Sequence, residues 1–338
     1  MNNKNILFSC LLFVFLSSCV NARDKPNWIE SEAERYPNNL YITSTGSASD
    51  AELAKDRALA NLSKVFEVHI DEMSTTKSDT HVSLHNMKET IAKKNRLSQL
   101  IRVSTDKVIQ GSQIVESWKD DELAIFYALV VLDRKQAKNN IMDEINRLDE
   151  EASSRLENIK LQDDVLLTIA GLNKIISLQQ NRLSLHNMLK VINLHGRGYP
   201  SEWQLFDFQR QLEAELKLLK ISGLVDVSNN SMSNQLSKIL KSSMANSGFP
   251  ASDESDYILK LSLHVNELGF QQGWYWERAK LTVELVKSSG QIIEQKEWSL
   301  KVSALQKEDA QSRLLTLIAN TLNADLRPLI IGAASTNF

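Results

Sequence analysis

The sequence predicts an α+β protein with a small N-terminal α+β module, a central amphipathic helical hairpin and a C-terminal βαβββα sandwich. Three patterns carry this reading. Small apolar residues at helical spacing from Ala51 to Phe66 are followed by two strand-like runs that end at Leu132. Apolar residues then recur every three or four positions from Ala137 to Ile192 with charges between them, as the inward stripe of a helix requires. Three strand-like runs between Tyr257 and Val302, one pair joined by Ser288-Ser289-Gly290-Gln291, lie between helical segments.

The elements follow in order. Residues 1–18 read as a secretory leader: Lys4 is the one charge of the n-region, and Ile6 to Leu16 is apolar apart from Ser9. That core is short of the ~20 residues a membrane span needs and has the length of a signal-peptide h-region. Leu16-Ser17-Ser18-Cys19 closes it as a lipobox, with Ser18 where Gly or Ala is usual. The Cys19 thiolate is the nucleophile that would take a diacylglyceryl group as a thioether, and its freed amine a further acyl chain such as palmitate. One myristoyl-sized chain binds with K of about 10⁴ M⁻¹ and each further buried CH₂ adds about 0.8 kcal/mol, so two or three chains make release negligible. Val20 rather than Asp after the cysteine favours the outer membrane. Residues 19–26 are then a lipidated tether.

Composition agrees with an exported globular chain. The two cysteines are Cys10, inside the leader, and Cys19, which leaves no mature thiol for a disulfide, a metal site or catalysis. Stability must come from burial, and 42% apolar with 24% charged residues is ordinary for a packed domain. Removing Lys4 takes the net charge from −3 to −4, 38 basic against 42 acidic groups, too acidic to imply nucleic acid. No second hydrophobic run is expected to approach membrane-spanning length.

Residues 27–134 form the first module. Leu40-Tyr41-Ile42 reads as a short strand that ends at the turn-prone Thr45-Gly46-Ser47, and Ser49-Asp50-Ala51-Glu52 has the capping-box pattern. The helix it opens carries Ala51, Ala54, Ala58, Leu62, Val65 and Phe66 on one face, small enough to lie close against a sheet. Residues 71–96 read as a polar loop with a weak helix at 87–92. Strands at 107–118 and 122–132 follow, joined by Lys119-Asp120-Asp121, and the apolar run 123–132 reads as covered on both faces. Trp28, Tyr36-Pro37, Leu40-Tyr41-Ile42, Gly46-Ser47-Ala48, the Ala-rich stretch 51–62 and the strand 124–132 stand in an order and spacing that resembles the Lpp-twenty lipoprotein family over residues 27–134, about a third of the chain. The segment Thr43-Ser44-Thr45 departs from it, because an apolar residue commonly precedes the Gly. The resemblance implies an outer-membrane lipoprotein of bacterial envelopes, among whose relatives are surface antigens and parts of flagellar or envelope assemblies. It brings no catalytic residues.

Residues 135–195 form the helical segment. Ala137, Ile141, Ile145, Leu148, Ala152, Leu156 and Ile159 make one stripe; after Asp163-Asp164, which suit a helix N-terminus, Val165, Ile169, Leu172, Ile176, Leu185, Leu189 and Ile192 make a second. Such stripes usually serve the core of their own chain, and a partner helix is the alternative. His195-Gly196-Arg197-Gly198-Tyr199-Pro200 breaks the helix as a linker. Residues 201–328 form the last module. Ser201-Glu202-Trp203-Gln204 is a second capping-box pattern before Leu205, Phe208, Leu212, Leu216 and Leu219; strand 224–227 and helix 233–246 precede the three strands 257–266, 274–287 and 292–302. A final helix, 307–326, places Ala310, Leu314, Ile318, Thr321 and Leu322 on one face and is expected to stop before Pro328. In element order the module is similar to periplasmic lipoprotein domains that activate cell-wall synthases, an analogy of order alone.

Chemistry-bearing constellations are few. His81 and His85 stand four apart in a polar segment without the third ligand a metal site needs; His69, His186, His195 and His264 are isolated. Gly196-x-Gly198 lacks the rest of a phosphate loop, there is no Gly-x-Ser-x-Gly elbow, and Asp120-Asp121-Glu122 reads as a solvated turn. No cofactor, metal or catalytic residue is implied. The one recognition candidate is Trp274, Tyr275, Trp276 and Arg278, residue types enriched in binding hot spots. Alternation puts the two indoles on one sheet face, and the reading to prefer has them covering the sheet beneath the terminal helix. Taken together, the residues lead to the expectation of a non-catalytic outer-membrane lipoprotein facing the periplasm, with envelope proteins as partners and a homo-oligomer left open. A peptidoglycan-synthase activator and a periplasmic enzyme with an unrecognised site are the alternatives.

Overall fold

A computed structural model describes residues 24–75, 111–227 and 230–336. The chain divides into two units, the first made of residues up to Leu62 together with Ser112–Leu132, the second of the remainder.

In the first unit, strands β1 (Tyr41–Ala48), β2 (Gln113–Asp120) and β3 (Ile125–Asp133) form a sheet in the order β1-β3-β2, with β2 and β3 antiparallel. The central place of β3 accounts for its unbroken apolar run: every residue from Ala128 to Leu132 is buried. Leu129 and Val131 pack with Trp28 and Ala33, with Tyr36, Tyr41, Trp118 and Tyr127 at the margin of that cluster. Asp120 ends β2 by accepting the amides of Glu122 and Leu123 at 3.0 and 2.9 Å, so the connection falls at 121–124 and exposes Leu123.

Helix α1 (Ala51–Thr75) begins one residue later than a Ser49 cap would place it: Asp50 accepts from the amides of Glu52 and Leu53 at 2.9 and 3.0 Å. A carboxylate there also favours the positive end of the helix dipole. Ala54, Ala58, Leu62 and Phe66 are fully buried. Thr45-Gly46-Ser47, expected to turn, instead continues β1. The reason is α1 itself. A Cβ added at Gly46 would overlap the Ala58 amide nitrogen and the Ala54 carbonyl, and would lie 2.8 Å from Ala58 Cα. The Arg57 guanidinium donates to Ser47 O at 2.6 Å and the Asn61 amide to Thr45 O at 2.9 Å. Glycine is present because a helix backbone passes there.

The second unit contains α2 (Arg134–Lys160), α3 (Val165–Ile192), α4 (Leu205–Leu218), β4 (Ile221–Asp226), α5 (Asn230–Asn246), β5 (Tyr257–Gln271), β6 (Trp274–Lys287), β7 (Ile292–Ala304) and α6 (Lys307–Thr336). Asp133 caps α2 by accepting from the Gln136 amide, and Asp164 caps α3 by accepting from Leu166 and Leu167. The α2 stripe is buried through Ala137, Ile141, Ile145, Leu148, Ala152 and Ile159. Helix α3 goes further than an amphipathic stripe. Its buried residues include Leu166, Ala170, Gly171, Ile175, Leu178, Gln179 and Arg182 beside the expected face, because α2, α4 and α6 all pack against it.

Arg182 is the polar exception in that packing, with its side chain only 4% exposed. Its Nε donates to Asp149 on α2 at 2.7 Å, while its terminal nitrogens donate to Tyr199 O at 3.1 Å and Pro200 O at 2.8 Å. The same guanidinium lies 5.6 Å from the Tyr199 ring centroid. The linker is therefore strapped to α3. His186 Nδ1 contacts Tyr199 O at 2.6 Å and Ser201 Oγ donates to Gln179 at 3.2 Å. Held this way past Pro200, the chain begins α4 only at Leu205. Ser201 caps a turn at the Trp203 amide, and Gln204 makes no side-chain cap. At the other end of the hairpin, Arg134 donates to Val191 O and Ile192 O at 3.1 and 2.7 Å, satisfying carbonyls that α3 leaves unpaired at its C-terminus.

The second sheet runs β4-β5-β6-β7, with β4 parallel to β5 and the other pairs antiparallel. One of its faces meets the helices: Leu259, Leu261, Leu281, Val283 and Leu285 share a core with Leu236 and Leu240 of α5, Ile169 and Leu172 of α3, Leu216 of α4, and Leu314, Ile318 and Leu322 of α6. Helix α6 does not stop before Pro328 but continues to Thr336. An interior proline costs about 3 kcal/mol; Leu329, Ile330 and Ala333, all buried beyond it, supply a compensating burial of about 1.5–3 kcal/mol per large side chain. Residues Lys307–Ala333 are also long and apolar enough to cross a membrane, contrary to the sequence expectation. Their apolar stripe is spent on the core.

Two substitutions test this packing. Gly46→Ala should lower the stability of the first unit by about 1–3 kcal/mol, the usual penalty of overpacking, read as an earlier transition in urea unfolding. Arg182→Met should cost about 3 kcal/mol, the lower end for breaking a buried pair, because Asp149 keeps some solvent. Limited proteolysis should then cut near Tyr199.

Candidate functional site

The four residues singled out from the sequence sit at the start of β6, and cross-strand register decides which way each faces. The hairpin between β5 and β6 turns at Gln272 and Gly273, both at positive φ, +51° and +82°, the pattern of a tight two-residue turn. Register pairs Gln271 with Trp274, Phe270 with Tyr275, Gly269 with Trp276, and Asn266 with Arg278. Across the other edge Trp276 pairs with Ser303, Arg278 with Lys301 and Lys280 with Ser299. Since Ala279, Leu281, Val283 and Leu285 point into the helix-covered core, the even-numbered Trp274, Trp276, Arg278 and Lys280 point the opposite way.

This corrects the preferred sequence reading: the indoles are not beneath the terminal helix but on the face turned away from it. Trp274 is 40% exposed and Trp276 half-buried. Tyr275 is on the core side, where its ring meets that of Phe270 at 4.9 Å between centroids; Phe270 is itself 60% exposed. Lys301 Nζ lies 4.4 Å from the Trp276 ring centroid, a distance within the cation–π range. Glu277, between Trp276 and Arg278, is turned inward and buried. Sequence spacing found Trp274, Trp276 and Arg278, but Lys301 and Phe270 reach the site only through strand pairing, which no local signal announces.

The outer face is ordered along the strands. Its end carries the indoles. The next positions carry Arg278 with Lys301, then His264 with Lys280, and only farther on Asp226, Glu297 and Glu284. Lys280 is paired with Glu297 at 2.7 Å and Lys260 with Asp226 at 3.2 Å. Among the described residues no carboxylate pairs with Arg278 or Lys301, although the two cations are directly opposite each other. Such an arrangement disfavours the isolated fold.

Other groups named from the sequence fall elsewhere. Cys19, Cys10 and the leader, His81, His85 and the helix expected at 87–92 lie outside the described residues. His186 holds the linker, His195 is exposed beyond the end of α3, and His264 is exposed on the outer sheet face. Among the described residues no three His, Cys, Asp or Glu side chains gather as a metal would require. Three carboxylates tie elements together. Asp164 accepts from Tyr257 Oη at 3.0 Å, and burial, then this bond, pushes the Tyr257 hydroxyl well above the ordinary tyrosine range. Asp325 accepts from Trp298 Nε1 at 2.7 Å and Lys296 at 2.9 Å, and Glu213 pairs with Arg327.

The outward placement of the indoles has a measurable consequence. Trp274→Ala should change unfolding stability by less than about 1 kcal/mol, whereas Leu281→Ala, on the same strand and facing the core, should cost about 2–5 kcal/mol.

Comparison with known proteins agrees with the N-terminal reading. Residues 26–133 match the family model of the LPP20 lipoproteins, which supports reading the chain as a bacterial lipoprotein. No curated protein matches the sequence significantly. Among solved structures, a secreted protein of Helicobacter pylori is similar at 16% identity, covering 86% of this chain and 98% of its own, with a TM-score of 0.45. A minor lipoprotein of Acinetobacter baumannii is similar at 19% identity over 35% of this chain and 91% of its own, TM-score 0.25. The rare lipoprotein B of Shewanella oneidensis is similar at 10% identity over 35% and 96%, TM-score 0.24. Likenesses at these scores assign no function.

Proposed function

We propose that this protein is a non-catalytic lipoprotein of the outer membrane, facing the periplasm. In this reading, Cys19 carries the anchor and the two folded units serve a structural or interaction role in an envelope or flagellar assembly. The observation that carries the proposal is Leu16-Ser17-Ser18-Cys19 at the end of an apolar leader, supported by the lipoprotein match that begins seven residues beyond the cysteine. Two or three acyl chains hold a polypeptide at a membrane without further contacts. The role is then positional: α2 and α3, at 27 and 28 residues, are each about 40 Å long at 1.5 Å per residue. The engagement of Asp149, Asp164, Glu213 and Asp325 in holding helices and strands supports a scaffold rather than a reaction centre.

Mass spectrometry of the native N-terminus tests the anchor, with an acylated Cys19 as the expected first residue. Cys19→Ala should leave an unacylated precursor or a soluble species that leaves the detergent phase; unchanged partitioning would remove the claim. Cross-linking in intact membranes followed by capture should return a specific envelope protein if the role is in an assembly.

A further inference from the structure

We infer that the β5–β6 hairpin end is a second membrane contact, a wedge that seats its aromatic side chains in the interface of an anionic phospholipid surface. The inference rests on the lipid-anchored reading above and names what the exposed aromatic end of the sheet touches. Residues 268–276 contain no charged side chain and four aromatic ones, Phe270, Trp274, Tyr275 and Trp276. Phe270 and Trp274 are exposed on opposite faces of the hairpin, so behind the uncharged Gln271-Gln272 tip the end offers apolar surface on both faces instead of a single face for one protein partner. Leu305, 64% exposed, adds to it just beyond Ala304, which pairs with Tyr275. Indole and phenol rings are the side chains that concentrate at the boundary between hydrocarbon and headgroups.

The charges behind the aromatics are placed for the layer above that boundary. Arg278 and Lys301 follow Trp276 by one two-residue step on the outer face, about 7 Å along a strand. The headgroup zone of one leaflet is about 5–7 Å deep, half the difference between the full bilayer and its hydrocarbon core. With the indoles at the hydrocarbon edge, the Arg278 guanidinium stands at the level of the lipid phosphates, while the Lys301 ammonium reaches back to 4.4 Å from the Trp276 ring centroid, where it meets the headgroups beside that indole. This accounts for two like charges directly opposite each other with no carboxylate pairing either among the described residues: the phosphates supply the missing counter-charge. His264 and Lys280 come next, and Asp226, Glu297 and Glu284 only beyond them. The one acidic residue inside the cationic zone on β6, Glu277, is turned away and buried.

The test uses the acylated full-length protein, extracted from membranes and reconstituted into vesicles of phosphatidylcholine alone or of phosphatidylcholine with phosphatidylglycerol at three to one. Flotation with the vesicles reads the Cys19 anchor. Quenching of tryptophan fluorescence by brominated acyl chains reads the wedge. Quenching is expected on the phosphatidylglycerol vesicles and should disappear in the Trp274→Phe, Trp276→Phe double variant, which still floats. Arg278→Gln with Lys301→Gln should lower the ratio of inserted to free hairpin about thirtyfold, for two cations each worth about 1 kcal/mol near an anionic surface. The double tryptophan variant should keep the thermal transition of the parent, since both indoles are on the outer face, and the double glutamine variant should not lower it, since it removes two like charges that stand opposite each other. Flotation with quenching unchanged by the double tryptophan variant would overturn the wedge and leave the anchor standing. Failure to float would overturn the anchor instead, while hairpin-dependent quenching on added vesicles would still support the wedge. A photoreactive side chain at position 274 that cross-links only to protein in native membranes would also overturn it.

Discussion

Arg182 is where the larger unit reconciles a charge with the most extensively buried of its helices. Helix α3 is covered by α2, α4 and α6, and a cation on it must find its hydration replaced group by group or not be buried at all. The replacement is nearly complete: Asp149 neutralises it, two carbonyls of the linker accept from its terminal nitrogens, and the Tyr199 ring lies at its side. These partners come from two stretches of chain besides α3 itself, so the guanidinium fixes the α2–α3 pairing and the path of residues 199–200 together. The apolar core can tolerate exchanges of shape; this site cannot exchange its charge. What the linker does next follows from it, including the delayed start of α4.

The same demand explains which parts of the fold could be read from the sequence. Periodicity located the helices and strands of both units because inward stripes such as Ala137 to Ile159 and alternating runs such as those of β6 are consequences of burial. The misreadings share one cause, a local signal overridden by a distant contact. Thr45-Gly46-Ser47 has turn composition, yet its glycine serves the close approach of α1. Pro328 has the composition of a stop, yet burial of Ile330 and Ala333 carries the helix through it. Ser201 resembles a cap, yet the strap on α3 moves the helix start to Leu205. In each case the propensity is worth a few kcal/mol at most, and tertiary burial of two or three side chains matches it.

The site was legible in part for a related reason. A cluster of aromatic residues flanking an arginine stands out in any sequence, but its direction depends on strand parity relative to a core that is known only once the helices have chosen a face. Large aromatics usually supply core area, which made the inward reading the reasonable one. The helices cover the face of Leu281 and Val283, and a two-residue repeat then forces Trp274 and Trp276 outward. Lys301 and Phe270 arrive by pairing across strands, at separations of 25 and 6 residues from Trp276, where no pattern in the sequence connects them.

The outer face itself argues against a merely unfinished surface. A solvated sheet face is ordinarily a mixture of polar residues with charges of both signs interspersed, and the far end of this one is such a mixture, with Lys260 beside Asp226 and Lys280 beside Glu297. Toward the β5–β6 turn the mixture gives way to segregation, uncharged aromatics first and then Arg278 and Lys301, which have no carboxylate partner among the described residues. Segregation of this kind leaves apolar surface exposed and places like charges opposite each other, both unfavourable for the free protein. A surface that stays in water gains nothing from that order. A boundary with hydrocarbon on one side and phosphate on the other repays both costs at once, and the one strand step from Trp276 to Arg278 matches the thickness of that boundary.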